Sequence, residues 1–581
     1  MITKLTEEEK HIMKRRGFDT EDQMLAYLNY TTDMLPAFSS LLNGEKLLDA
    51  LLMALDRKAV ITVYGDYDAD GIMAMTILYK GLKKLGAGSL HWFANNRFKN
   101  GYSITPESLS DCLTLYPDTQ VILTCDNGIG AVEAWEKAAG LGIEVLVTDH
   151  HEQAPDRVLP DEIPAVCEKS VAQKEQFAKE GREPEDFCGA ELARRLILEL
   201  FERTGQKTAQ EAFLDSLYAY AGLATVTDVV PLKAGNRAVL KRGLSLIRQD
   251  TGIWRRLYQT LLSGKTPQEA LDEEVFGFYY GPAINASGRI NGNVDLPMKV
   301  FLTPEDQTRD AMDAAVELSQ INAGRREFAS EDLKLCRERI KAGGYENSSL
   351  ILIAEEKLRE GINGLTAGRI CEEYRVPVIV LGGSDMPGVY KGSARSTDAC
   401  NIFEALYECR DLLIAFGGHP KAAGLSVRAE DIDELRRRLE EKTKNLKKET
   451  PLQEVESDYP VRPEQISVKW IADYQSAVSR LAPFGEGFAA PQIYLEGQAA
   501  GIRLMSGDTH AKVMMKDLSQ DGKGVNLLMW GKGEYCKEYL QAHGQKPPFV
   551  KGFVTRPEIN EFRQTLTCQF VEKEIEFSEN P

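Results

Sequence analysis

Between residues 62 and 74 the chain reads TVYGDYDADGIMA, which sets three carboxylates, Asp66, Asp68 and Asp70, at alternate positions behind a short apolar run. Like charges that close repel, so the arrangement calls for cations among them. Three further stretches carry similar groups: Asp126 in CDNG (125–128), Asp149, His150 and His151 in TDHHE (148–152), and Asp228 in TVTDVVPL (225–232). Four or more carboxylates with one or two imidazoles form a hard oxygen-and-nitrogen donor set, suited to Mn²⁺ or Mg²⁺ rather than to thiolate-bound zinc. Five aspartates around one divalent ion would leave several negative charges unpaired. Two ions about 3.5 to 4 Å apart, bridged by Asp126, nearly neutralise them. Taken singly, each motif has an ordinary explanation, since Asp before Gly is turn chemistry and Asp at a helix start is a cap. Their recurrence at successive strand ends is what favours a metal centre.

Positioning these groups requires a sheet. Segments 58–65, 119–125 and 143–148 are short, continuous apolar runs, as expected of strands buried on both faces. Helix-length amphipathic stretches at 72–86 and 131–142 lie between them, which predicts a parallel sheet with helical crossovers. Ligands of such a sheet gather at the carboxyl ends of its strands. The fold therefore brings together acids and imidazoles that span about 85 positions.

From Phe187 to Ile247 the pattern turns mostly helical, and a charged, helix-favouring stretch at 313–344 reads as a solvated helical linker. SSLILIAEE (348–356) and VPVIVLGG (376–383), flanking a helical segment, begin a second α/β domain that runs to about Val427, with a closing helix after it. Beyond Pro451, alternating stretches suit a small antiparallel barrel. The expected fold class is thus multidomain α/β with a C-terminal all-β barrel. Its boundaries are a helical segment 1–45, a catalytic domain 46–250, a helical connector 251–345, a second α/β domain 346–450 and a barrel 451–581. No internal repeat or low-complexity tract stands out.

At 581 residues the chain exceeds what one hydrophobic core supports. No long uncharged apolar run and no signal-peptide core are present, so the expected location is the cytoplasm. Ten cysteines are scattered without a CxxC pair, which points to buried thiols in a reducing compartment. A net charge of −18 opposes nonspecific binding to a polyanion unless some carboxylates bind metal and the cations gather in one groove.

GDYDADG, CDNGI, TDHHE and TDVVPL, in this order, resemble the motifs of the DHH phosphoesterase superfamily and, within it, the RecJ family of single-stranded-DNA-specific exonucleases. NRFKNGYSI (96–104), GPAINASGRING (281–292), KLREGINGLTAGRI (357–370), GSARS (392–396), FGGHPKAAG (416–424) and LAPFGEGF (481–488) resemble further blocks of that family. The resemblance implies a DHH domain and a DHH-associated domain joined by a long helix, followed by an oligonucleotide-binding (OB) barrel. It also implies that Asp68 and Asp126, with Asp66 nearby, hold one ion, while Asp70, Asp126, His150 and Asp228 hold the other. Asp149 would act from behind them, and His151 and His419 would meet the scissile phosphate. Arg97, Ser393 and Arg395 resemble a 5′-phosphate pocket, Arg289 a phosphate contact near the cut, and Gly417 and Gly418 a backbone that approaches phosphate closely.

The activity implied is two-metal hydrolysis of single-stranded DNA from its 5′ end to mononucleotides, in DNA repair and recombination. The barrel, with aromatics such as Trp530 and Phe562, would hold the strand, although barrel core is the commoner place for each ring. A monomer is expected, with single-strand-binding protein and a helicase as candidate partners. Two other readings are a nuclease of short oligoribonucleotides or cyclic dinucleotides and a non-enzymatic replication scaffold. The long C-terminal region argues against the first and the full set of acids against the second. The chain departs from the family at AVCEKS (165–170), where an Asn-Pro pair is usual, and at Phe488, where Asn is usual. Both departures bear on the substrate channel or a partner contact.

Overall fold

The computed structural model describes all residues except 263–266, 305–306, 445–456, 563 and 580–581, together with the side chains of Thr308 and Phe562. The boundary read near Pro451 lies outside the described residues. The chain forms two compact units: Thr32–Val230 with Gly235–Glu449, and Met1–Thr31 with Pro231–Ala234 and Thr450–Pro581.

The first unit holds two sheets. Strands β1 (Val60–Gly65), β2 (Ser89–Ala94), β3 (Val121–Cys125), β4 (Glu144–Thr148) and β5 (Ala165–Val166) form an all-parallel sheet in the order β2-β1-β3-β4-β5. The three apolar runs become its central strands and are almost wholly buried. The edge strand β2 is half-buried throughout, so SLHWFA lacks the continuous apolar signature and was not anticipated. Helix Ala69–Lys84, buried on most of its circumference, packs against Gly189–Arg203 and Glu211–Thr227. Nine of the ten cysteines are buried and all are free.

A single helix, Thr308–Gly343, leads to the second sheet. It is not merely a solvated linker. Ala311, Ala314, Ala315 and Leu318 are buried near its start, and Cys336 and Ile340 near its end join Ile351, Ile353, Val378 and Val380 in one core. Burial at both ends stiffens the connection, which the charge-rich sequence obscures. Strands β6 (Ile351–Glu355), β7 (Val378–Gly383), β8 (Val389–Arg395), β9 (Leu413–His419) and β10 (Ala422–Arg428) follow in the order β6-β7-β8-β10-β9, parallel only between β6 and β7.

The second unit is a barrel of β11 (Tyr459–Val461), β12 (Ile493–Met505), β13 (His510–Leu518), β14 (Gly524–Met529), β15 (Phe549–Phe562) and β16 (Thr565–Ser578). Pairing of β12 with β15 closes it. It is not wholly antiparallel, because β14 pairs with β16, and β11 with β12, in parallel. The N-terminal helices Glu7–Arg15 and Glu21–Leu28 belong to this unit. Arg16 is paired with the buried Asp458, and Arg480 lies 3.1 Å from the buried Glu9. Phe488 is buried against Tyr27 and Phe484 and is therefore core, not a substrate contact. No described helix is long and apolar enough to cross a membrane.

Candidate metal and phosphate site

Register places the acids on one rim. Gly65 pairs with Cys125 and Thr124 with Val147, so Asp66, Asp126 and Asp149 each begin a turn at the same end of the sheet. Asp126 has a left-handed backbone (φ 58°), uncommon for a non-glycine residue. Gly189 packs against it, since a Cβ at 189 would lie 2.6 Å from Asp126 Cβ. Asp68 caps helix Ala69–Lys84, accepting from Gly71 N–H at 3.1 Å, so the ordinary role of a helix-start aspartate is fulfilled here as well. Asp70 accepts from Gly189 N–H (2.7 Å) and Ala190 N–H (2.8 Å), the free amides of another helix start. Asp228 ends helix Glu211–Thr227.

Ligand atoms of Asp66, Asp68 and Asp126, of Asp70, His150 and Asp228, and of Asp126, His150 and His151 each lie within 4.8 Å of one another. His150 Nε2 is 2.9 Å from Asp126 Oδ1, 3.5 Å from Asp70 Oδ2 and 3.6 Å from Asp228 Oδ2. Even so, neither ring nitrogen of His150 is hydrogen-bonded, and Asp66 Oδ1 and Asp126 Oδ1 are buried without partners. Burial, then Asp68, raises Asp70 to about 7; burial, then Asp70, raises Asp228 to about 8. Asp66 and Asp126 are pushed up for the same reasons, burial first and neighbouring carboxylates second. Burial, then His151, lowers His150 to about 3, which leaves its imidazole neutral. A neutral imidazole among carboxylates that the protein itself does not neutralise is a donor set that fits hard divalent cations.

Asp149 stands behind this group. Its Oδ1 accepts from the His150 and His151 amides (2.7 and 3.1 Å) and lies 2.7 Å from His151 Nδ1, while Oδ2 accepts from Ile129 N–H at 2.9 Å. Burial disfavours charge on both members of the Asp149–His151 pair. Their mutual attraction prevails, raising His151 to about 9 and lowering Asp149 to about 2. Tyr102 OH completes the relay, 2.6 Å from His151 Nε2. Tyr102 lies within the quoted stretch 96–104, but nothing in the sequence singles it out. Cys167 Sγ donates to His151 O at 3.3 Å, and Glu168 accepts from Asp186 N–H at 2.9 Å. The departure at 165–170 thus begins with the edge strand Ala165–Val166, and its Cys167 packs against the His151 turn.

Arginines gather beside the acids. Burial, then Arg97, Arg325 and Arg395, pushes the half-buried Arg289 down to about 9, with Asp68 opposing. Among the described residues none of these four arginines is ion-paired. Arg325 lies on the helix read as a linker. A cavity of about 340 Å³ is lined by Tyr67, Arg97, Lys391 and Ser393, with the backbones of Gly392 and Gly424. Tyr67 sits between Asp66 and Asp68, and its ring lies 5.3 Å from the Arg97 guanidinium. Arg395 does not line the cavity directly. It packs over Gly364, where a Cβ would lie 2.9 Å from its Nη2 and 3.3 Å from Ser393 Oγ.

His419, Gly417 and Gly418 are exposed on the edge strand β9. Among the described residues no hydrogen bond joins His419 to the acids. Gly418 (φ 146°) is required by the hairpin, since a Cβ there would lie 2.3 Å from Ala422 O. In the barrel, Arg503, Lys512, Asn560 and Thr567 line an open cleft of about 770 Å³. Trp530 is 53% exposed, edge-on to His510, and is not barrel core as the commoner case would have it. The Phe562 side chain lies outside the described residues.

Comparison with known proteins agrees with this architecture. Residues 60–221 match the DHH family N-terminal domain, 347–445 the DHHA1 domain and 457–574 the RecJ OB domain. The single-stranded-DNA-specific exonuclease RecJ of Bacillus subtilis is 31% identical over 98% of this chain and 68% of its own length. The Escherichia coli RecJ is 30% identical over 93% and 91%. The crystal structure of Thermus thermophilus RecJ in complex with Mn²⁺ superposes with a TM-score of 0.77 at 25% identity, covering 99% of this chain and 76% of that one. A structure of exonuclease RecJ bound to manganese covers 71% and 96% (TM-score 0.59, 28% identity). With three domain models matched in order and relatives aligned along nearly its whole length, the chain belongs to the RecJ family.

Proposed function

We propose that this protein is a metal-dependent exonuclease that degrades single-stranded DNA from the 5′ end to mononucleotides. The observation that carries this reading is the convergence of Asp66, Asp68, Asp70, Asp126, His150 and Asp228, in which Asp66 Oδ1, Asp126 Oδ1 and both ring nitrogens of His150 are buried without hydrogen-bond partners. These residues would hold two Mn²⁺ or Mg²⁺ ions, Asp126 being grouped with Asp66 and Asp68 on one side and with His150 on the other. Bound there, the ions supply charge neutralisation and the activation of water that phosphodiester hydrolysis at neutral pH requires.

The protein's own groups do the rest. Asp149 fixes the ring of His151 and keeps it protonated at neutral pH, so that its Nε2–H, which meets Tyr102 OH at 2.6 Å, can be shared with an incoming phosphate oxygen. Arg289 offers its planar fork to the phosphate at the cut. Arg97 and Ser393, backed by Arg395 and aided by Lys391, receive a 5′-terminal phosphate, which gives the reaction its polarity. His419 approaches the phosphate from the second sheet, with Gly417 leaving the backbone open beside it. A passage between the two α/β domains admits one strand and excludes a duplex. The barrel holds the strand through the Arg503–Lys512 cleft and the exposed Trp530. Such a nuclease acts as a monomer in the cytoplasm, in DNA repair and recombination, on strands that a helicase and a single-strand-binding protein expose. Incubation with Mn²⁺ and 5′-phosphorylated single-stranded DNA, beside Asp126→Ala, tests the reading; absence of mononucleotide release by the unmodified protein overturns it.

A further inference from the structure

A cavity of about 590 Å³ lies in the catalytic unit outside both charge clusters, within the size range of small-ligand sites. Its walls are the C-terminal part of helix Ala69–Lys84, the helix Glu211–Thr227, the start of helix Ile253–Leu261 and the residues Val300–Pro304. The groups that face it are of two kinds. Tyr79, Phe213 and Trp254 offer aromatic surface, Trp254 being held by stacking on Tyr280 with centroids 5.9 Å apart. Lys80, Lys83, Lys84 and Arg256 offer positive charge.

Among the described residues these cations contrast with the ion-paired ones. Over a chain of net charge −18, basic side chains such as Lys99, Arg157 and Lys174 are matched to a carboxylate. Among the described residues, none of the four cations of the cavity is. Lys80 donates to Tyr220 OH at 2.9 Å, and Lys84 lies 5.0 Å from the Phe213 ring centroid. Asp250 is the one carboxylate among the lining residues described, and its Oδ2 already accepts from Trp254 N–H at 2.9 Å. Complementing the helix dipole accounts for Lys83 and Lys84 at a helix C-terminus, but not for Arg256 or for the aromatic concavity.

A planar apolar surface beside unpaired cations selects a ligand that is itself planar at one end and anionic at the other. We propose that this cavity binds a nucleoside monophosphate, with the base against Phe213 and Tyr79 and the phosphate among Lys83, Lys84 and Arg256. The recognition chemistry stands on these residues alone. Only the source of the ligand, as a product of strand hydrolysis, rests on the function proposed above. The site is distinct from the metal centre: Lys83 and Asp70 lie on one helix, about 20 Å apart at 1.5 Å per residue.

Isothermal titration of the full chain with dAMP in excess chelator tests this without recourse to activity, because chelation removes metal-dependent binding at the acidic cluster. A saturable site is expected that persists in Asp126→Ala and in Arg395→Ala, the second variant removing dAMP binding through its 5′-phosphate at the Arg97–Ser393 pocket. It should weaken at least tenfold in Lys83→Glu/Lys84→Glu and in Arg256→Ala, the second variant guarding against a folding defect in the first. Adenosine and inorganic phosphate should each bind more weakly than dAMP. Several results would overturn the proposal: no saturable binding; binding lost in Arg395→Ala but kept in the lysine variant; inorganic phosphate binding as tightly as dAMP; or a decanucleotide weakened by the lysine changes while dAMP is not.

Discussion

Two like-charged clusters stand side by side in the catalytic unit, and they are built in opposite ways. Asp66, Asp70, Asp126 and Asp149 are deeply buried, and backbone clamps some of them, as when the Gly189 and Ala190 amides hold Asp70. The arginines Arg97, Arg289, Arg325 and Arg395 are only partly buried and come from a loop, two helices and a strand end. Each cluster raises its own energy by repulsion, and members of each shift toward neutrality, Asp66, Asp70, Asp126 and Asp228 upward and Arg289 downward. Rigid, enclosed oxygens suit small cations that demand fixed geometry. Long, open guanidinium groups suit phosphates that must enter and leave. On the proposed function the two halves complement one ligand pair, metal ions and a nucleic-acid backbone, and not each other.

The strongest way to break this comparison is to remove the acid common to two of the three ligand neighbourhoods. Asp126→Ala is expected to lower the rate of mononucleotide release by on the order of 10³-fold or more, several kcal/mol of lost stabilisation. Activity within tenfold of the unmodified protein would refute the metal assignment. On the basic side, Arg289→Ala should cost about 2 kcal/mol in kcat/KM, the scale of one charge-assisted hydrogen bond. Arg395→Ala should erase the preference for a 5′-phosphorylated end, measured by competition between phosphorylated and hydroxyl-terminated strands.

Stability sharpens the comparison further. Asp70 and Asp228, at about 7 and 8, hold protons that the unfolded chain would release near pH 4, and His151, at about 9, holds one that it would release near pH 6.5. Between pH 6.5 and 8 the folded state therefore binds more protons than the unfolded one, and stability falls as pH rises. In chelator, the melting temperature should drop across this window. Mn²⁺ should restore it at pH 8, and Asp126→Asn should raise it without metal while abolishing the Mn²⁺ response. A metal-free melting temperature that is flat or rising over the window would contradict this picture. The smallest effect belongs to Tyr102→Phe, which removes the 2.6 Å partner of His151 and should slow turnover about fivefold, the scale of a net hydrogen bond of about 1 kcal/mol.

Much of the acidic centre was legible because parallel sheets impose a rule: residues just past consecutive strands share a rim, so Asp66, Asp126 and Asp149 could be grouped from apolar runs alone. The arginine side followed no such rule. Arg325 lies in a charge-rich helix whose periodicity reads as solvated, and Lys391 and Tyr67 face the cavity only because β8 and the β1 turn are brought together. Strand β2 escaped because an edge strand needs no continuous apolar run. The docking of the N-terminal helices onto the barrel unit, through Arg16–Asp458 and Arg480–Glu9, was equally invisible, since no local pattern encodes a contact across more than 440 residues. One practical consequence is that deleting the barrel would strip these buried partners, so point changes at Arg503 and Lys512 test its role more cleanly.

By itself the sequence determined which chemistry was available, a hard donor set spaced by strands and helices, because residue type and periodicity are local properties. Only the tertiary structure decided which side of each group meets which neighbour: His150 Nε2 turned among three carboxylates, Asp149 spent on orienting His151, Arg289 crowded by its own kind. Those outcomes depend on long-range packing, where a displacement of an ångström decides between a hydrogen bond, a metal ligand and an unpaired charge.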